Sequence, residues 1–391
     1  MILRVRLQNF ASFGELQMAQ LEPITVIVGA NNSGKTNFLR IAEFMRTRGG
    51  EFTPYFHRPP VGDGSLRIEW EGELPLLPDG QAGEVATYSF QASRRKDGLE
   101  LNESVKVGRR SVYQHGGRFG KNTNILLNQV HVGSAPPGIN ANSLSVSYRS
   151  QQQKACDEIA AVFDPVFKAR QVHLSIPALR DDSQLQPTPM MDPAGSMVAA
   201  LLAHWTLEYP EKMIEFNEII TKCLPEMKRV IVRCEQPGMV RVLFEQRDGE
   251  RFDSTQVSDG VVVFAGLIAH ALNAPPKALV LIEEPERAIH PRRLAELVDL
   301  LRTIVQQHQS QFIMATHSPA LLNEFRSEPE AVLTFRRGSN GTIIRRLSDI
   351  KELEETLMRS DPGELLANGF FNEDPEVSSP KKPTTQAATD D

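Results

Sequence analysis

The sequence predicts an α/β fold with a mixed β region at the N-terminus, a parallel sheet flanked by helices, and a variable middle lid. Three observations predict it. Ile24-Thr-Val-Ile-Val28 is a β-branched run that reads as a buried strand, and it leads through a glycine loop into Asn37–Met45, which carries apolar residues at helical spacing. In the second half, a helix from about 259, a strand at 278–282, a helix at about 291–308 and a strand at 311–315 alternate as they do in a parallel sheet with helices on its faces. Between these halves, residues 64–132 alternate apolar and polar side chains between glycine-rich turns, as in Ser65-Leu-Arg-Ile-Glu-Trp70.

The remaining elements follow in order. Residues 2–28 read as two or three short strands. From about 150 to 225 the pattern turns helical, with Gln151–Ala169 and Ser196–Leu207 showing three- and four-residue apolar spacing and a Pro-rich stretch near 175–193 interrupting them. Residues 229–245 alternate again. Arg336-Arg337 and Arg345-Arg346 flank Gly-Ser-Asn-Gly341 like the two arms of a hairpin. The tail from about 373 is rich in Pro, Ser, Thr and Asp and is expected to be disordered. No internal repeat and no heptad run long enough for a coiled-coil arm is evident.

The chain has 391 residues, of which 40% are hydrophobic and 24% charged, the balance of an ordinary globular protein large enough for two domains or one elaborated one. It contains no run of about eighteen apolar residues, which argues against a membrane span. Met1–Gln8 lacks an apolar signal core and reads as a first strand. Cys156, Cys223 and Cys234 are widely spaced, giving neither a disulfide framework nor metal-ligand spacing, so a reducing cytoplasm is the simplest setting. The net charge of −6 gives no general support for nucleic-acid binding. A local basic face could still form from Arg94, Arg95, Lys96, Lys106, Arg109, Arg110, Arg118 and Lys121, although a solvated hairpin surface accounts for the same residues.

Gly29-Ala-Asn-Asn-Ser-Gly-Lys-Thr36 fits the phosphate-binding pattern G-x-x-x-x-G-K-[ST] without a departure. A strand, a tight glycine loop and a helix N-terminus gather backbone N–H groups on one concavity that favours a polyphosphate. Lys35 is expected to reach the outer phosphates and the Thr36 hydroxyl to ligate magnesium. Ala278-Leu-Val-Leu-Ile282 is an apolar strand that ends in Glu283-Glu284, and carboxylates at such a tip are costly unless a cation or hydrogen bonds compensate them. The phosphate loop supplies the reason: Glu283 to hold the magnesium, and Glu284 to orient and activate an attacking water. Gln311–Ala315 is another buried strand, and His317 follows it, placed to hydrogen-bond the transferred group.

Together these segments resemble the ABC-type ATPase head, in its RecF/SMC/OLD branch rather than among membrane transporters. Gly29–Thr36 with Asn37 is similar to that branch's GxNxSGKTN loop, and Leu281–Pro291 to its DEPExxLHP segment. Ala315-Thr-His-Ser-Pro319 is similar to its switch-histidine segment, and Val257–Gly266 to its LSDGxxR signature. The resemblance covers residues 1–50 and about 250–345. It implies a head made of residues 1–50 and 250–350, an insertion or lid over 51–249, a helical extension at 351–372 and the tail at 373–391. It also implies an ATP and Mg2+ site built from Gly29, Asn31, Asn32, Ser33, Gly34, Lys35, Thr36 and Asn37, with Thr36 and Glu283 on the metal and Glu284 and His317 catalytic.

By the same resemblance, Ser258, Asp259 and Gly260 cap the nucleotide of a second copy in a homodimer holding two ATP molecules. Three positions depart from the family pattern. Glu283 stands where Asp is usual, Arg287-Ala-Ile-His290 replaces the usual D-loop residues, and the Q-loop glutamine is not identifiable, with Gln184 and Gln186 after an expected strand at 171–177 as candidates. Phe10 and Phe13 are candidates to stack on adenine. A head with no Toprim-like acidic set, no His/Cys metal cluster, no nuclease motif and no arm resembles the ATPase subunits of anti-phage systems such as Septu and PARIS. The implied function is an ATP-hydrolysing sensor or scaffold that controls a separately encoded nuclease or toxin. The alternative is a RecF-like repair ATPase that binds DNA directly.

Overall fold

A computed structural model describes residues 1–46, 53–73, 84–96, 98–118, 123–127, 130–135, 163–166, 168–350 and 360–372. The chain begins with β1 (Ile2–Gln8), β2 (Gln17–Gln20), β3 (Ile24–Gly29) and α1 (Lys35–Arg46). Then come β4 (Leu66–Glu73), β5 (Val85–Arg95), β6 (Gly98–Val107), β7 (Arg110–Arg118), β8 (Thr123–Leu127) and β9 (Val130–Ala135). The middle of the chain continues with β10 (Arg170–Val172), α2 (Ile176–Arg180), β11 (Ser183–Gln184), α3 (Val198–Glu208) and α4 (Pro210–Cys223). After β12 (Met227–Gln236), β13 (Met239–Gln246) and β14 (Arg251–Asp253) come α5 (Asp259–Leu272), β15 (Leu279–Glu283), α6 (Leu294–His308) and β16 (Gln311–Ala315). The described chain closes with α7 (Pro319–Asn323), β17 (Val332–Gly338), β18 (Gly341–Arg346) and α8 (Pro362–Ala367).

Among the described residues the strands form three sheets. A six-stranded sheet has the order β10-β15-β16-β3-β17-β18 and is parallel except for β18, which returns antiparallel to β17. An eight-stranded antiparallel sheet has the order β2-β1-β4-β5-β6-β7-β8-β9. A smaller sheet has the order β11-β13-β12, with β14 on β13.

The central strands are apolar throughout because both faces of the parallel sheet are covered. Alternate residues enter two separate cores. Val26, Val28, Val280, Ile282, Phe312 and Met314 pack with α5 and α6. Ile27, Leu279, Leu281, Ile313 and Ala315 pack with Phe38, Leu39 and Ile41 of α1. The second core also holds Val5, Leu7, Ile68, Trp70, Tyr88 and Phe90, so α1 is clamped between the parallel and the antiparallel sheet. That clamp fixes the loop at the helix's N-terminus.

The segment 51–249 is not external to the head's sheets. β4–β9 continue the sheet begun by β1 and β2, and β10 forms the edge of the parallel sheet. The strand expected at 171–177 ends at Val172, because Pro177 occupies the first turn of α2, where a proline is accommodated. The hairpin arms carrying Arg336-Arg337 and Arg345-Arg346 are β17 and β18. Most of Gln151–Ala169, residues 351–359 and the tail from 373 lie outside the described residues.

Candidate nucleotide-binding site

Because β15, β16 and β3 are parallel neighbours, their C-terminal ends lie side by side. Backbone hydrogen bonds continue past the strands: the Glu284 N–H donates to the Ala315 carbonyl at 2.8 Å, and the Thr316 N–H to the Ile27 carbonyl at 3.0 Å. A cavity of about 1070 Å³ opens over these ends, and Asn31–Asn37, Glu283, Glu284 and His317 line it.

The phosphate loop is shaped by what lies behind it. Gly29 has φ +152°, and a Cβ there would stand 2.1 Å from the Phe335 carbonyl oxygen. Gly34 has φ +107°, and a Cβ there would stand 2.2 Å from Thr342 Oγ1. Only glycine satisfies both the conformation and the approach. The Thr342 hydroxyl donates to the Ser33 carbonyl at 2.8 Å and lies 2.8 Å from the Ser12 hydroxyl, so the β17–β18 hairpin buttresses the loop.

Lys35 donates to the Gly29 carbonyl at 2.8 Å and the Ala30 carbonyl at 3.0 Å, which folds its ammonium back over the loop. Burial pushes this ammonium down to about 8, against the opposing pull of Glu284, Glu283 and Glu286. The Thr36 hydroxyl donates to one oxygen of Glu283, so the longer glutamate in place of aspartate reaches the hydroxyl directly. Glu284 stands in the left-handed region at φ +49°. Glu286 accepts the His317 N–H at 3.0 Å. Partial burial, then Lys35, hold the His317 imidazole below its usual range, while Glu284 and Glu286 oppose the shift. Among the described residues no three His, Cys, Asp or Glu side chains gather into a metal centre. A hydroxyl beside a carboxylate at the mouth of a phosphate loop does fit a hard divalent cation that arrives with a polyphosphate.

Residues 24–123 and 147–323 match the family described as "AAA domain, putative AbiEii toxin, Type IV TA system". The chain belongs to this AAA-domain family. Its fold is that of the ABC-type ATPase head of the SMC and RecF branch. The crystal structure of the SmcHead bound to the C-winged helix domain of ScpA is 14% identical and covers 88% of this chain and 96% of its own, with a TM-score of 0.53. The Smc head domain with an extended coiled coil, bound to the C-terminal domain of ScpA and derived from Pyrococcus furiosus, is 12% identical, with coverages of 92% and 99% and a TM-score of 0.51. No curated protein matches the sequence.

In this AAA-domain protein the signature residues Ser258, Asp259 and Gly260 do not line the cavity. Ser258 is the exposed N-cap of α5 and its side chain makes no capping hydrogen bond. Asp259 pairs with Arg180 at 2.8 Å, and Arg180 also donates to the Val257 carbonyl at 2.9 Å. A Cβ on Gly260 would stand 2.6 Å from the Ala288 carbonyl oxygen, so the signature turn packs directly on the segment after Glu284.

Phe10 and Phe13 cannot stack on a base. Both are fully buried, and Phe10 packs on Phe44 and Tyr55. Tyr55, His57 and Arg58 line the cavity wall instead, followed across it by Arg40 and Arg337. The Q-loop candidates also fall elsewhere: Gln184 pairs with Met239 in the small sheet, and neither Gln184 nor Gln186 lines the cavity. The residue that does follow the strand beside Glu283 is His173. In the basic stretch, Arg94 lies 4.5 Å over the Phe56 ring and Arg95 pairs with Glu100 at 2.7 Å, while Lys121 lies outside the described residues.

Proposed function

We propose that this protein binds ATP with a divalent cation in the cavity and hydrolyses it. On this reading two copies close around two nucleotides, and the cycle of closure and opening controls a separate effector protein in anti-phage defence. The observation that carries the reading is the meeting of Lys35, Thr36, Glu283, Glu284 and His317, from three neighbouring strand ends, on one cavity.

The roles follow from position. The loop N–H groups and the α1 N-terminus hold the β- and γ-phosphates. The Lys35 ammonium, released from the Gly29 and Ala30 carbonyls, turns to the outer phosphates. A divalent cation held by Thr36 and Glu283 would neutralise charge on the phosphate oxygens. The Glu284 carboxylate accepts the proton of the attacking water, and His317 donates a hydrogen bond to the transferred group. Ser258, exposed at the start of a 14-residue helix and outside its own cavity, suits a role as an anion site facing a second copy. The family's description as a putative toxin of a type IV system supports the effector role and the defence setting.

Steady-state phosphate release from ATP tests the enzyme, and ATP-dependent dimerisation tests the closure. Turnover in the wild type that survives Lys35→Ala, or no turnover at all, overturns the reading.

A further inference from the structure

The edge strand β10 brings an imidazole to the cation position. β10 pairs in parallel with β15, with Val172 opposite Ile282, so the next residues, His173 and Glu283, leave their strands side by side. His173 Nδ1 lies 3.3 Å from one oxygen of Glu283, and the other oxygen of the same carboxylate accepts the Thr36 hydroxyl. The backbone is held too. The His173 N–H donates to the Pro193 carbonyl at 2.8 Å, and the Ser175 N–H to the Ala194 carbonyl at 2.9 Å. The side chain is half exposed, so it is open to an incoming ligand.

We propose that His173 is a ligand of the divalent ion that accompanies the nucleotide, and that its nitrogen biases this site toward manganese(II) over magnesium. The proposal rests on the ATP reading above. Magnesium takes a hard, all-oxygen octahedral shell, whereas imidazole suits first-row transition ions. A site that offers a hydroxyl, a carboxylate and an imidazole on one side of the ion therefore selects differently from an all-oxygen site. The longer Glu283 fits this arrangement, because its two oxygens span the gap between Thr36 and His173.

The test is electron paramagnetic resonance of manganese(II) bound to the full chain with a non-hydrolysable ATP analogue. The expected result is nucleotide-dependent manganese with directly bound nitrogen coupling that changes isotope when the histidines carry nitrogen-15. The coupling is lost in His173→Gln and His173→Ala, both of which still bind the manganese–nucleotide complex. The manganese-over-magnesium preference, read by competition, falls about tenfold in His173→Gln. Nucleotide-dependent manganese without histidine coupling in the wild type overturns the proposal and leaves the ATP reading standing, as does a preference unchanged in His173→Gln. Absence of any nucleotide-dependent manganese overturns the ATP reading and the proposal with it. The isotope experiment needs no variant, so a folding defect in either one does not shelter the claim.

Discussion

The Glu284 N–H is tied to the Ala315 carbonyl at 2.8 Å, and this bond holds Glu284 in a left-handed backbone conformation at φ +49°. A non-glycine residue there stores strain, and the strain aims the carboxylate over the ends of three strands. Glu284→Gln should lower phosphate release by about 10²–10⁴-fold while leaving ATP binding intact, and should accumulate an ATP-bound dimer on size exclusion. Glu284→Gly should also be inactive, yet more stable by about 1 kcal/mol in urea, because glycine adopts the turn without strain. Full turnover in Glu284→Gln would remove it from the chemistry.

Lys35 makes a pH-dependent prediction. Its folded value of about 8 lies below the ordinary 10.5, so the folded state binds fewer protons than the unfolded state between these values. The cost of the buried charge is fully present below about pH 8 and is relieved as pH rises toward 10.5, so stability should rise across that window. Lys35→Met should remove that slope from urea titrations. A bound triphosphate restores the proton, so ATP binding at pH 8 should take up about half a proton, read by calorimetry in buffers of different ionisation enthalpy. Proton release instead would contradict the assignment.

The signature turn separates closure from folding. Ser258 is exposed, so Ser258→Arg should keep ATP binding and thermal stability while abolishing the ATP-dependent dimer in light scattering. Gly260 has no such freedom, with the Ala288 oxygen 2.6 Å from where its Cβ would be, and Gly260→Ala should cost about 1–3 kcal/mol. A Ser258→Arg chain that still dimerises with ATP would place the interface elsewhere.

His270 on α5 is buried, neither ring nitrogen has a hydrogen-bond partner, and burial, then Arg170, push it down to about 4 against the pull of Asp192. Because its folded value is below the ordinary 6.5, the unfolded state takes up the proton first, and stability should fall as pH drops from 6.5 toward 4, by up to about 3 kcal/mol. His270→Leu should flatten that slope. An unchanged acid limb would assign the loss to other groups.

Much of the head was legible because its signals are local. Gly29–Thr36, Glu283-Glu284 and His317 each sit directly after an apolar strand, and three such strands have few ways to pair. What was illegible depends on distant pairing or on exposure. β10 spans three residues, too short for a periodic signal, so His173 could not be placed beside Glu283 from sequence. The aromatics at 10 and 13 look available in sequence, but their turn is closed over by Phe38, Phe44 and Phe335. Tyr55 reaches the cavity wall only because the backbone around it pairs with Ala11, where Ala11 N–H donates to the Tyr55 carbonyl at 2.6 Å.

The alternation of β3, β15 and β16 residues between two cores has a mechanical outcome. A strand whose odd and even side chains are gripped by different partners cannot rock toward one without pulling on the other. Any displacement imposed at the strand tips is therefore shared by α5 on one side and by α1 with its overlying antiparallel sheet on the opposite side. The central sheet acts as a common partition, and the bodies it divides are obliged to answer together.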